Sequence, residues 1–336
     1  MKNNKFIFVY LILILIAAFV GDIFVGNAPI PVGEIWQILS GRSNNDIARE
    51  IILNHRLPKA ITAVLAGSAL SVSGLLMQTL FRNPLAGPDV LGVSAGAGLG
   101  VALLTMLSGT AIYPVVQSLG STAQIVAAII GATVVLFVIL AVSSKIKDSV
   151  TILVLGMIFG YVASAIVTVL QSFADPDSLK VFITWTFGSL SAITMDKLPI
   201  LFAIVAIGIT LVFFIQKPLN SLLLGENYAV STGLNVKRTR LLIISIAACI
   251  TGAITAFTGP IAFVGVVIPH LARSIFKTVT HRTIIPATIL LGSVLMLTCD
   301  IASQLPISNR TLPINAVTAL FGSPFIIWIV LKKKKL

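Results

Sequence analysis

Charge is what this 336-residue sequence has least of: Asp, Glu, Lys and Arg together make up 10% of it. A water-soluble domain carries about 25%, so the chain lacks the polar surface to face water on every side. Cysteine and histidine are also scarce, at two and three residues. Cys249 and Cys299 each lie inside an apolar run, with no CxxC spacing and no clustered histidines, which reads as structural thiols rather than a disulfide or metal site. No Gly-Lys dipeptide occurs anywhere, which removes the phosphate-binding loop G-x-x-x-x-G-K-[ST]. HExxH and paired intramembrane aspartates are missing as well, so no catalytic constellation is legible.

What is present is apolar. Hydrophobic residues make up 57% of the chain, much of it in runs near the length of about 20 residues that crosses a bilayer as a helix. Ten such segments can be marked, at 6–25, 60–81, 90–107, 122–142, 150–170, 198–216, 241–258, 260–272, 284–305 and 313–331. The stretch 241–272 is long for one span and short for two. Thr258-Gly259-Pro260 breaks it into a full helix, a tight turn and a shortened helix containing a proline. The expected fold is all-α: a polytopic membrane bundle of about ten transmembrane helices, one domain over residues 1–336.

The net charge of +12 comes from bases that flank apolar runs and form no stripe interleaved with aromatics, so nucleic acid is not an expected partner. With the N-terminus inside, sixteen of the 23 Lys and Arg residues fall on the cytoplasmic side, and both termini are cytoplasmic. Lys2 and Lys5 before the first run could introduce a signal peptide. Pro29 directly after Gly26–Ala28 and the length of the run favour a retained first span. The segment 31–39 reads as a short helix on the outer membrane surface, with Trp36 at the headgroups. The segment 175–194 reads as a half-helix dipping back from outside.

Gly92, Gly96 and Gly100 recur every four residues and do not fit dinucleotide-loop spacing. They read as one face of a helix where backbones approach closely, and Gly67, Gly156 and Gly160 belong to similar small-residue stripes. Asp300 is the main intramembrane acid. It sits about 7–8 Å from the outer end of its span, where pairing with a base such as Arg310 or capping backbone groups explains it. Asp22 is read the same way. The bundle thus shows no evident means of coupling to ions, and its energy is expected from elsewhere. The largest inside loop, Lys217–Arg240, can form two short helices separated by Gly225 or Gly233, a shape suited to docking on a partner.

Four strings carry a family resemblance: Arg56–Gly98 with "RLPKAITAVLAGSAL" and "FRNPLAGPDVLGVSAGAG", Leu224–Gly233 "LGENYAVSTG", Gly259–Arg273 "GPIAFVGVVIPHLAR" and Leu312–Val330 "LPINAVTALFGSPFIIWIV". They resemble the FecCD-type permease subunits of vitamin B12 and iron-siderophore ABC importers, over nearly the whole chain. The resemblance implies a type II importer permease in the cytoplasmic membrane of a bacterium. It would pair with a second permease copy, identical or a close homologue, with the substrate path between them. Two cytoplasmic ABC ATPase subunits and an extracytoplasmic substrate-binding protein would complete the machine. No cofactor is implied in this chain; ATP and Mg belong to the partner ATPase.

By position, the resemblance makes Leu224, Gly225, Glu226, Ala229 and Gly233 the ATPase-coupling loop, Asn83, Leu85 and Ser149 the cytoplasmic gate, and Arg56, Lys59 and Arg310 the docking bases for the binding protein. Thr232 stands where the family often has leucine, and Lys59 where it has a second arginine, which keeps charge but loses bidentate geometry. His270, beside Pro269 and Arg273, is expected to serve the helix end; His55 and His281 are expected in exposed loops. The implied cargo is an iron-siderophore, with cobalamin or haem as alternatives. A secondary transporter driven by an ion gradient is the reading from a different class.

Overall fold

The computed structural model describes residues 2–26, 28–42, 45–106, 120–146, 148–304 and 311–333. All ten apolar segments are helices: α1 (Lys2–Phe24), α4 (Leu57–Leu80), α5 (Val93–Met106), α6 (Ser121–Ser143), α7 (Ser149–Phe173), α9 (Leu198–Phe214), α12 (Val236–Thr258), α13 (Val264–Phe276), α14 (His281–Ser303) and α15 (Ile314–Lys333). Between them lie α2 (Val32–Leu39), α3 (Asp46–Glu50), α8 (Pro176–Thr186), α10 (Gln216–Leu223) and α11 (Glu226–Ser231). Among the described residues six helices are long and apolar enough to cross a membrane unaided, and α9 with α10, bent by 58°, makes a seventh if the two form one span. The other three, α5, α13 and α15, are shorter apolar helices. The molecule is an all-α, multi-pass membrane bundle.

The surface helix α2 buries Ile35 completely and leaves Trp36 70% exposed, the amphipathic division its spacing predicts. The half-helix expected in 175–194 is α8, with Asp175 accepting from the N–H groups of Asp177 and Ser178 at its start. The break after α12 is longer than a turn. Gly259 has φ +75° and the chain stays unwound to Phe263, so α13 begins at Val264 rather than at residue 260.

Close approach of backbones builds the interior, as it must where lipid offers no hydrophobic gain on association. A methyl group at Gly67 would overlap the carbonyl oxygen of Gly292 on α14, and one at Gly100 the carbonyl oxygen of Ala127 on α6. A methyl at Gly96 would lie 2.7 Å from the Gly131 oxygen, and one at Gly156 would overlap that of Val90. Gly160 is roomier, its nearest neighbour being Gly92 Cα at 3.6 Å. Gly92 is not helical as its spacing with Gly96 and Gly100 implied. It has φ +69° and closes the 3₁₀ turn Pro88–Leu91 before α5, a left-handed position that glycine adopts without steric cost.

Candidate functional site

At the end of the bundle that the basic residues assign to the cytoplasm, α4 stops at Leu80 and the chain turns through Asn83–Leu85. Asn83 Oδ1 accepts the Leu85 N–H at 3.0 Å, which tightens the turn and leaves Leu85 exposed. Across from it α7 begins at Ser149, so the expected gate serine is the first residue of a helix rather than part of a loop. Asp148 caps that helix by accepting from the N–H groups of Val150 and Thr151.

Gly225, not Gly233, separates the two short helices of the large inner loop. Its φ of +116° with ψ 154° is a conformation closed to residues bearing a Cβ, and the Arg82 guanidinium lies beside it. Ala229, on the inward face of α11, is fully buried, whereas Leu224, Tyr228 and Val230 are exposed apolar side chains on the same segment. Gly233 closes the segment with φ +82°. Glu226 ties the segment to the gate, for its Oε1 accepts from Ser149 Oγ at 2.8 Å and pairs with Arg240 Nη2 at 2.8 Å. Spacing had marked Arg240 only as one topology base among sixteen.

The outer end is organised differently. Arg56 and Lys59, expected to present charge to a binding protein, are 4% and 6% exposed. Arg56 donates to the carbonyls of Ile23 (3.0 Å), Phe24 and Ala28, closing the C-terminal end of α1. Lys59 Nζ lies 2.7 Å from Asp300 and 3.8 Å from Asp22, both buried, with Gln304 bridging the two acids. Asp300 is thus paired with a base, Lys59; Arg310, the base the sequence suggested for it, lies outside the described residues. Sequence places these charges at a rim; tertiary packing turns them inward.

His281 is corrected too. It is buried at the start of α14, with Nε2 3.0 Å from Thr79 Oγ1 and Nδ1 2.8 Å from Asn220 Oδ1, and so it pins α14 to α4 and α10. His55 is exposed as expected, within a π-helical turn at Ile51–Arg56. His270 packs edge-on against Phe325 of α15. Among the described residues no three potential metal ligands come together.

Between these ends runs a groove of about 650 Å³, bounded by α5, α7 and α8 and by the unwound segment after α12. Its wall includes Asp89, Ser94, Tyr161, Trp185, Pro260 and Asn315. Irregular backbone at membrane depth is tolerated where protein buries it or it lines a cavity, and here Asn315 Oδ1 accepts the Ala262 N–H while the Ser189 N–H donates to the Thr258 carbonyl. Asp89, whose Oδ1 accepts from Ser94 Oγ at 2.8 Å, is an acid in this wall that the sequence reading passed over. Nothing in the spacing separates it from the surrounding turn.

The described residues thus form a bundle of apolar helices with a polar-edged groove and a partly exposed segment, 224–231, at the end the basic residues assign to the cytoplasm. The chain belongs to the FecCD transport family, whose model matches residues 12–332. It is 31% identical to the hemin transport system permease protein of Yersinia pestis over 97% of this chain and 95% of that one. It is equally similar, at 31%, to the vitamin B12 import system permease protein of Klebsiella pneumoniae, over 99% of this chain and 95% of the other. Its fold matches an inward-facing ABC transporter assigned to the metal-chelate type, with a TM-score of 0.84, 27% identity and coverage of 98% and 99%. The chain is thus the permease subunit of a type II ABC importer, a transport component whose ATPase is a separate subunit.

Proposed function

We propose that this permease moves an iron-siderophore-type metal chelate inward across the cytoplasmic membrane of a bacterium by alternating access, with both termini in the cytoplasm. Two copies, or this chain and a close homologue, would face each other across the groove. Two ATPase subunits carrying ATP and Mg would seat on Leu224–Gly233 of each permease, and an extracytoplasmic binding protein would deliver cargo. Closure of the ATPases pushes the coupling segment, α4 to α7 rock against α9 to α15, and the inner mouth at Asn83, Leu85 and Ser149 opens or closes. Such motion is largely rigid-body.

One observation carries the reading: the segment fit to receive a push, α11, is hydrogen-bonded through Glu226 to the residue that starts the gate helix, Ser149. The hemin and vitamin B12 relatives favour a second cargo reading, haem or cobalamin, on the same machine. The test is uptake into liposomes holding the permease with its ATPase and binding protein, offered a ferric trihydroxamate, hemin and cobalamin in parallel. We expect ATP-dependent accumulation of the ferric chelate. Accumulation of hemin or cobalamin instead reassigns the cargo. Uptake driven by a proton gradient with the permease alone returns the chain to the secondary transporters.

A further inference from the structure

Arg240 stands in the second turn of α12 with its side chain 5% exposed. Its Nη1 donates to the carbonyl of Ile146 at 3.0 Å and its Nη2 to Glu226 Oε1 at 2.8 Å. That same carboxylate oxygen accepts the Ser149 hydroxyl. One planar cation therefore holds the segment preceding α7 with one nitrogen and the first residue of α11 with another. A guanidinium does this rigidly, because its donors are fixed in one plane; an ammonium on a flexible stem is a single point of contact.

The contact continues past α7. A methyl at Gly156 would overlap the Val90 carbonyl, and one at Gly92 would lie 2.9 Å from the Gly156 carbonyl, so α7 rests backbone to backbone on the turn Pro88–Leu91. That turn follows Asn83–Leu85 directly. A displacement of α11 thus reaches the start of α7 through Arg240, and the second gate segment through the bare face of α7. The Nε of Arg240 is buried and, among the described residues, meets no acceptor.

We propose that Arg240 is the positioning residue that passes movement of the coupling segment to both halves of the inner gate. This rests on the coupling role assigned to Leu224–Gly233 above, and the experiment separates the two. The full importer, with its ATPase and binding protein in lipid nanodiscs, is followed by hydrogen exchange with and without a non-hydrolysable ATP analogue and Mg. In the unmodified complex, nucleotide is expected to alter exchange at 224–231, 144–151 and 83–91. In Arg240→Met the change at 224–231 persists and the changes at both gate segments are lost. Arg240→Lys, which keeps the charge without the fork, recovers them only in part.

An assembled Arg240→Met complex whose gate segments still respond as the unmodified ones do overturns the proposal. Should that variant fail to assemble, Arg240→Lys with a full gate response overturns it equally. No nucleotide effect at 224–231 in the unmodified complex brings down the coupling assignment itself, and this proposal with it. A change at 224–231 without one at the gate segments overturns the linkage alone.

Discussion

Helices α4 and α7 are nearly the same length, 24 and 25 residues, yet 89% of the residues in the most apolar stretch of α4 are buried, against 17% for α7. The more apolar of the two is the more exposed. In water the order would be reversed; in a bilayer, lipid serves an aliphatic side chain as well as protein does, and burial follows small residues and polar cross-links instead. α4 has both. Gly67 and Gly74 touch the backbones of α14 and α13, Ser73 bonds Thr251 and the Ala247 carbonyl of α12, and Gln78 donates to the Val266 carbonyl of α13. Around its outer end, Lys59 pairs inside the protein with Asp300 and lies 3.8 Å from Asp22. α7 leans on α5 and the Pro88–Leu91 turn and is tied to the coupling segment at its inner end, through a carboxylate whose side chain is 40% exposed. One helix is enclosed by the chain's own backbone contacts; the other presents most of its apolar surface outward.

The sharpest way to break that contrast is at Lys59. Replacing it with methionine strands Asp300 and Asp22 in a buried pocket without their base, and removal of one partner from a buried pair costs about 3–5 kcal/mol. Thermal unfolding in detergent should fall accordingly, and adding Asp300→Leu together with Asp22→Leu should recover much of the loss, since an apolar replacement of the whole buried cluster is tolerated. An unchanged midpoint in Lys59→Met would mean that α4 is held by packing alone.

Packing gives the next largest effect. Gly67→Ala places a methyl in the Gly292 carbonyl and should destabilise by about 1–3 kcal/mol, the usual range for overpacking. Gly160→Ala on α7 has 3.6 Å of clearance, and alanine is the better helix former by about 0.5–1 kcal/mol, so it should be neutral to slightly stabilising. Equal losses for the two would remove the difference in how tightly α4 and α7 are seated.

Much of this was legible in the sequence, and the reason is dimensional. Ten apolar runs, most of them near membrane-crossing length, separated by bases and turn residues, admit few other architectures, and the four-residue recurrence of Gly96 and Gly100 names a contact face directly. Facing was less legible than presence. Arg56, Lys59 and Arg240 look alike in sequence, bases beside apolar runs, and only the third dimension shows that each is turned inward onto carbonyls or acids from distant segments. His281 was misplaced for the same reason: a polar residue after a loop looks exposed until Thr79 and Asn220 are brought to it. Gly92 misled through perfect spacing, because periodicity cannot tell a helical glycine from one that ends a turn just before the helix.

The smallest effect is expected at the inner end of α7, and it tests how that end is anchored. Asp148 is exposed and accepts from Thr151 Oγ1 at 2.6 Å and from the N–H groups of Thr151 and Val150. Those bonds, and then the charge of Arg240, hold its carboxyl below the usual aspartate value. A depressed value in the fold means that the carboxylate's stabilisation is present at neutral pH and fades as pH falls through the folded value, below the unfolded one near about 3.9. Asp148→Asn keeps a capping acceptor and loses only the charge, whereas Asp148→Ala loses both. Hydrogen exchange at residues 149–152 should therefore rise slightly for asparagine and more for alanine at pH 7, and the asparagine variant should converge on the parent in acid. If alanine exchanges like the parent at neutral pH, the cap contributes nothing, and the start of α7 is held through Ser149 and Arg240 alone.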